Sequence, residues 1–208
     1  MSRDNWRSKG PLFVVMALAG IVVGLFASVF AVAGIALGLR DAVKPANAVE
    51  HVASRGTVVE SMSIVTSGPG HPDWPRYTNP SWTVHVGQTV VLRITSYDTG
   101  TAPLSGVQTM FDAVSGTVTG TESVDGRTIR SVPNTQIAHT FTVVGLGLNL
   151  PIPAAPAGGS VTVIARFVAQ RSGAFVWQCY APCGSGPNSM GGAMSVKGWM
   201  EGRVHVLA

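Results

Sequence analysis

From Pro11 to Leu39 the chain reads PLFVVMALAGIVVGLFASVFAVAGIALGL without one charged residue. At ~1.5 Å per helical residue this run crosses a hydrocarbon core of ~30 Å. A cleaved signal peptide has an apolar core of only ~7–15 residues, so the length favours an uncleaved anchor. Arg3, Arg7 and Lys9 precede the span against a single Asp4, while Arg40, Asp41 and Lys44 follow it. The positive-inside rule then puts residues 1–10 in the cytoplasm. The expected protein is single-pass in the cell membrane, with everything after residue 40 extracytoplasmic, where disulfides are permitted.

The span carries a pattern of its own. Ala17, Gly20, Gly24, Ala27, Ala31, Gly34 and Gly38 recur at steps of three and four and fall on one helix face. Small residues on one stripe let a second helix approach closely, so this face is expected to meet a larger membrane subunit or a second copy.

Beyond the span no segment keeps helical periodicity. Residues 40–76 read as a linker and lead-in segment with an apolar stretch, Val58 to Val65, and then the Pro- and Gly-dense GPGHPDWPRYTNP. Ser81–Thr95 alternates and reads as two strands joined at Gly87-Gln88. Thr99 to Pro133 is rich in Gly, Ser and Thr, with a turn signal at Asp125-Gly126. Thr140–Val144, Val161–Val168, Ala174–Gln178 and Gly202–Leu207 are further strand candidates, and LGLNLPIPAAPAGG is read as a loop. Short strands between Gly/Pro turns predict an all-β sandwich or barrel. The formal charge of +4 is spread without a basic block, which gives no sign of nucleic-acid binding. No G-x-S-x-G, H-E-x-x-H or Walker loop is present, and Asp112, Glu122 and Asp125 are isolated carboxylates.

Chemistry concentrates near the C-terminus. The only cysteines, Cys179 and Cys183, form a C-x-x-x-C pair before a loop holding Met190, Met194 and Met200. Thiolates and thioethers are soft ligands that select copper over calcium or magnesium. In an extracytoplasmic domain the same pair is also compatible with a disulfide, and both readings stand at this point. The methionines can complete a thioether site or fill gaps at an adaptable surface. His51, His71, His85 and His205 have no motif context, and Trp177 and Trp199 read most simply as packing aromatics.

Three stretches, in order, resemble subunit II of the haem–copper (cytochrome c) respiratory oxidases in its single-helix form. PSWTVHVGQTVVLRITSYD (80–98) resembles that family's opening strands. IAHTFTV (137–143) resembles the strand with its first copper histidine, and GAFVWQCYAPCG (173–184) resembles the segment with its bridging cysteines. The resemblance implies an anchor followed by a cupredoxin-like Greek-key β-sandwich, here 77–208, with an insertion at about 99–138. It also implies a CuA-type copper centre. The matching positions are His139, Cys179, the carbonyl of Ala181, Cys183 and a methionine.

Two departures matter. Counting forward from Cys183 puts the family's second histidine at Pro187 and its methionine at Met190. Counting back from the last strand puts them at Lys197 and Met200, and this register is preferred because the strand fixes the end of the loop. It implies roughly ten extra loop residues, tolerable because closure entropy grows slowly with length. In either register the second histidine is absent. The other departure is 99–138 itself, which separates Asp98 from His139 and could cover the site, form an interface or supply Met110 or Asp112 as a ligand.

The leading expectation is a subunit-II-like, non-catalytic electron-transfer component of a respiratory oxidase or related membrane oxidoreductase. It would take electrons from a cytochrome or small copper protein and relay them through a variant copper site to a larger membrane subunit. Two alternatives remain open: a copper-free accessory subunit with Cys179–Cys183 as a disulfide, and a protein that binds and delivers Cu(I) through the Cys/Met loop.

Overall fold

The computed structural model describes residues 55–208. The expected span at 11–39, its small-residue face and the start of the linker lie outside them, and no helix among the described residues is long and apolar enough to cross a membrane.

Eleven strands make two sheets among these residues: β1 (Thr57–Val65), β2 (Arg76–Tyr77), β3 (Ser81–His85), β4 (Thr89–Ser96), β5 (Glu122–Val124), β6 (Arg127–Ile129), β7 (Ile137–Val143), β8 (Leu148–Pro153), β9 (Val161–Val168), β10 (Gly173–Gln178) and β11 (Glu201–Leu207). One sheet has the order β2-β1-β4-β9-β5-β6 and the other β3-β11-β10-β7-β8. β1 with β4 and β3 with β11 run parallel; the other pairs are antiparallel. The expected break at Gly87-Gln88 is present, and it sends β3 and β4 into different sheets. The Val58–Val65 stretch becomes β1, paired with β4 from Thr57 to Ile64.

Alternation decides which side chains fill the space between the sheets. Val90, Leu92 and Ile94 of β4 and Val163, Ala165 and Phe167 of β9 are buried, and exposed Arg93 and Arg166 sit between them. From the other sheet come Trp82, Phe141, Trp177 and Val204. Tyr77, Phe141 and Trp177 form one aromatic nucleus, with Trp177 4.8 Å from Tyr77 and 5.1 Å from Phe141 between ring centroids. Tilted pairs of this kind add ~0.5–1.5 kcal/mol each beyond the area they bury.

Two features depart from the sequence reading. LNLPIP was expected as loop and is β8, buried from Leu148 to Ile152. Pro151 and Pro153 are tolerated because β8 is the last strand of its sheet, where a missing N–H breaks no ladder on the open side. β7 in turn is buried at every residue although IAHTFTV alternates. The insertion explains this. Asn149 on β8 donates through Nδ2 to the carbonyls of Phe111 (2.9 Å) and Ala113 (2.7 Å) and accepts from Thr142 Oγ1 at 2.6 Å. The 99–138 segment is thereby laid over β7 and β8 and covers their polar positions. It also adds the β5–β6 hairpin to the edge of the other sheet through β9. That hairpin turns at Asp125-Gly126, both with positive φ (47° and 84°), the conformation a type I′ turn requires.

Candidate metal centre

His139 lies on β7, just past a register shift between Ile137 and His139, and its side chain is fully buried. Bulges of this kind re-aim side chains and are common beside functional sites. Cys179 is the first residue after β10. Its N–H donates to the Met200 carbonyl at 2.9 Å, extending the β10–β11 ladder by one bond and fixing the start of the loop. Tyr180 N–H donates to Thr140 Oγ1 (2.8 Å) and Thr140 N–H to Cys179 Sγ (3.4 Å), which ties the loop to β7. Cys183 N–H donates to the Ala181 carbonyl at 2.8 Å. Gly184 follows where the loop folds against itself; a Cβ there would come within 2.0 Å of the Gly191 carbonyl.

These contacts collect donors that are far apart in sequence. The ligand atoms of His139, Cys179 and Cys183 all lie within 4.8 Å of one another. Both cysteines are free thiols, with Sγ atoms 3.4 Å apart. Met194, from the helical turn Gly192–Ser195, places its Sδ 3.2 Å from Cys183 Sγ. The Ala181 carbonyl is 3.7 Å from Cys179 Sγ. Cys179 and His139 are sealed from solvent, whereas Cys183 is half-buried and borders a cavity of about 280 Å³ shared with Asp98, Ala138 and Pro182.

The histidine ring is held from one side only. Nε2 lies 3.0 Å from Asp98 Oδ2, and buried Nδ1 makes no hydrogen bond. Burial alone would lower the His139 pKa, but Asp98 and the nearby Cys179 sulfur outweigh it and raise it to about 9. Burial raises Asp98, yet the hydrogen bond and charge of His139 bring it below its ordinary value. The two thiols divide: burial raises Cys179, but its hydrogen bond to Cys183 and the charge of His139 draw it well below its usual range. Cys183 is pushed well above it, first by its hydrogen bond to Cys179 and then by burial.

The donor set fits copper. A buried polar atom with no partner costs ~1–3 kcal/mol, and an imidazole nitrogen fixed by a carboxylate behind it is the usual form of a metal-binding histidine. Two thiols and a thioether beside it make the set soft.

Of the residues expected from sequence, His139, Cys179 and Cys183 are brought together, with the Ala181 carbonyl beside them. Met200 is buried in the core and touches the centre through its backbone carbonyl; the thioether against Cys183 belongs to Met194. Exposed Lys197 lines a separate cleft with Pro80 and Glu201. Met110 is 70% exposed, and Asp112 is not among the clustered donors. The insertion contributes cover: Phe111 stacks on Tyr180 at 4.4 Å, and Gln108 Nε2 donates to the Tyr180 carbonyl. Sequence reasoning did not find the pairing of Asp98 with His139. The signal lay in the Asp that closes the TSYD stretch, hidden by the insertion between them.

No family model matches the chain. No curated protein matches it. Among solved structures it is similar to reduced rusticyanin (16% identity, 72% of this chain and 79% of that chain, TM-score 0.35). It is also similar to rusticyanin from Thiobacillus ferrooxidans (16%, 72% and 77%, 0.35) and to a multi-copper oxidase from Pediococcus acidilactici (12%, 78% and 28%, 0.31). Likeness at this level says nothing about what this chain binds.

Proposed function

We propose that the chain is a cupredoxin-like electron-transfer protein that holds copper through His139, Cys179 and Cys183, anchored in the membrane by residues 11–39. In this reading it is a subunit-II-like component of a respiratory oxidase or related membrane oxidoreductase. It takes electrons from a cytochrome or small copper protein, and a larger subunit packs on the small-residue face of the anchor. The observation that carries the copper reading is the orphaned Nδ1 of buried His139, clustered with two free thiols.

Bound copper would supply one-electron transfer. The chain's own part is to hold the donors still. Asp98 accepts the Nε2–H of His139 and so leaves Nδ1 as the ligating nitrogen. Thr140 binds the Cys179 loop from both its N–H and its hydroxyl, and the Phe111–Tyr180 stack lies over the neighbouring residue. Rigid donors limit reorganisation when charge changes, and burial of Cys179 and His139 excludes water from their side of the centre.

Copper analysis and visible absorption of full-length protein purified from membranes test this reading. Bound copper with a thiolate–copper band once the protein is oxidised, co-purifying with larger haem-containing subunits, is the expected result. Metal-free protein with a Cys179–Cys183 disulfide would sink it. Colourless protein that takes up Cu(I) but purifies alone would favour the delivery role instead.

A further inference from the structure

We infer that the centre holds a single copper ion, ligated by His139 Nδ1, Cys179 Sγ, Cys183 Sγ and Met194 Sδ, and that this donor set favours Cu(I). The inference rests on the copper reading above and goes beyond it by fixing the number of ions and the fourth ligand.

Donor count comes first. Two coppers bridged by both thiolates would each have one further side-chain donor, His139 on one and Met194 on the other, whereas a single ion takes all four. Among the described residues the cluster offers one histidine. His71 is stacked on Trp74 with ring centroids 3.7 Å apart, and His85 and His205 stand on β3 and β11 outside the cluster. Lys197, at one position where a second histidine would fall, is exposed and lines another cleft. The side-chain donors that remain are one imidazole, two thiols and one thioether, the complement of one four-coordinate ion.

Spacing agrees with the count. A four-coordinate ion with N and S bonds of ~2.0–2.3 Å holds its donors ~3.3–3.8 Å apart. The Cys179–Cys183 sulfur pair stands at 3.4 Å and the Cys183–Met194 pair just under the range at 3.2 Å, with the His139 ligand atom within 4.8 Å of both thiols. Cys183 thus stands between two further sulfurs at about the spacing that one ion imposes. Zinc sites combine thiolates and imidazole but not a thioether, so the Met194 sulfur beside two thiols and one imidazole points to Cu(I).

Met194 reaches the site because the loop after Cys183 is long. The Ser185–Gly191 bridge folds it back, and the turn Gly192–Ser195 returns a side chain to Cys183. Met200, at the strand end, holds Cys179 through its backbone carbonyl, and its side chain is buried in the core.

Native mass spectrometry of the full chain in detergent, loaded with Cu(I) under reducing conditions, tests the count. One copper per chain is expected; two per chain overturns the inference while leaving the copper reading intact. Failure to take up copper overturns both. Competition against a chromophoric Cu(I) chelator tests the ligand. Met194→Leu removes the weakest of the four donors, a neutral thioether, and is expected to weaken Cu(I) binding at least ~10-fold, the lower bound for losing even a partner behind a ligand. Met200→Leu, checked for folding by circular dichroism, should leave the affinity of the folded protein unchanged. Equal affinity in wild type and Met194→Leu would remove Met194 from the site.

Discussion

His139 and Glu122 are the two deeply buried ionisable residues with pKa values displaced to about 9, and they are buried for opposite reasons. His139 is 0% exposed, meets Asp98 on one nitrogen and has two thiols within 4.8 Å of a ring nitrogen. Glu122, at the start of β5, is 2% exposed, and neither of its carboxylate oxygens has a partner among the described residues. The first group is surrounded by chemistry that favours its charged form, which brings it to about 9 against the effect of burial. The second is driven to about 9 by burial alone, so it is held neutral. A buried ionisable group with directed partners marks a built site, whereas one without them marks a packing cost. The same displaced value thus has two meanings, and only geometry separates them.

Breaking the histidine side should have the largest effects. Cys183→Ser removes a soft ligand without changing shape much, and copper affinity should fall by more than the ~10–100-fold that partners behind a ligand contribute. Equilibrium dialysis would show this, and a variant that keeps its copper would remove Cys183 from the centre. Asp98→Ala should cost ~10–100-fold in copper affinity, because His139 loses the acceptor that sets its tautomer. Asp98→Asn keeps an acceptor and should recover much of the loss. Equal behaviour of the two variants would mean that Asp98 does not position the ring.

The Glu122 side sharpens the contrast through pH. A carboxyl raised from 4.5 to about 9 binds its proton more tightly in the folded state. Stability therefore falls as pH rises from about 4.5 to about 9, with a limiting slope of ~1.4 kcal/mol per pH unit. Glu122→Gln should flatten that slope in urea melts, raising stability at pH 8 and changing little near pH 4. The His139–Asp98 pair of the metal-free protein acts over a different range. A histidine raised from 6.5 to about 9 contributes fully below 6.5, and its contribution disappears as pH climbs through about 9. The depressed carboxyl of Asp98 adds its share above the ordinary carboxylate range and loses it in acid. Asp98→Asn should reduce the decline above pH 6.5, Cys179 keeping part of it, and leave the one that begins near 4.5. The smallest expected effect is that of Tyr77→Phe. Its buried hydroxyl donates to the Thr140 carbonyl at 3.0 Å, and the loss should cost ~1 kcal/mol in a denaturant melt with copper binding unchanged.

How far the sequence reached follows from the same physics. Local alternation in VVLRIT and VTVIARFV located β4 and β9, and Asp125-Gly126 located a hairpin turn, because those signals act within a few residues. β8 was hidden because its prolines read as loop punctuation, and edge strands are where that rule relaxes. The cysteine spacing and the HTF context drew attention to Cys179, Cys183 and His139, which the structure brings together. Asp98 and Met194 were not legible as partners. Their placement depends on where the 99–138 insertion and the Gly/Met loop return in space, and loops without periodicity do not encode that locally. The covering of β7 by Asn149 and Phe111 belongs to the same class of long-range contact.

Copper-edge X-ray absorption on the full chain, as isolated and after chemical reduction, reaches the central claim most directly. The account predicts a first shell of sulfur with one imidazole nitrogen, and loss of sulfur scattering in Cys183→Ser. A shell of nitrogen and oxygen alone, or a protein that retains no copper, would contradict it.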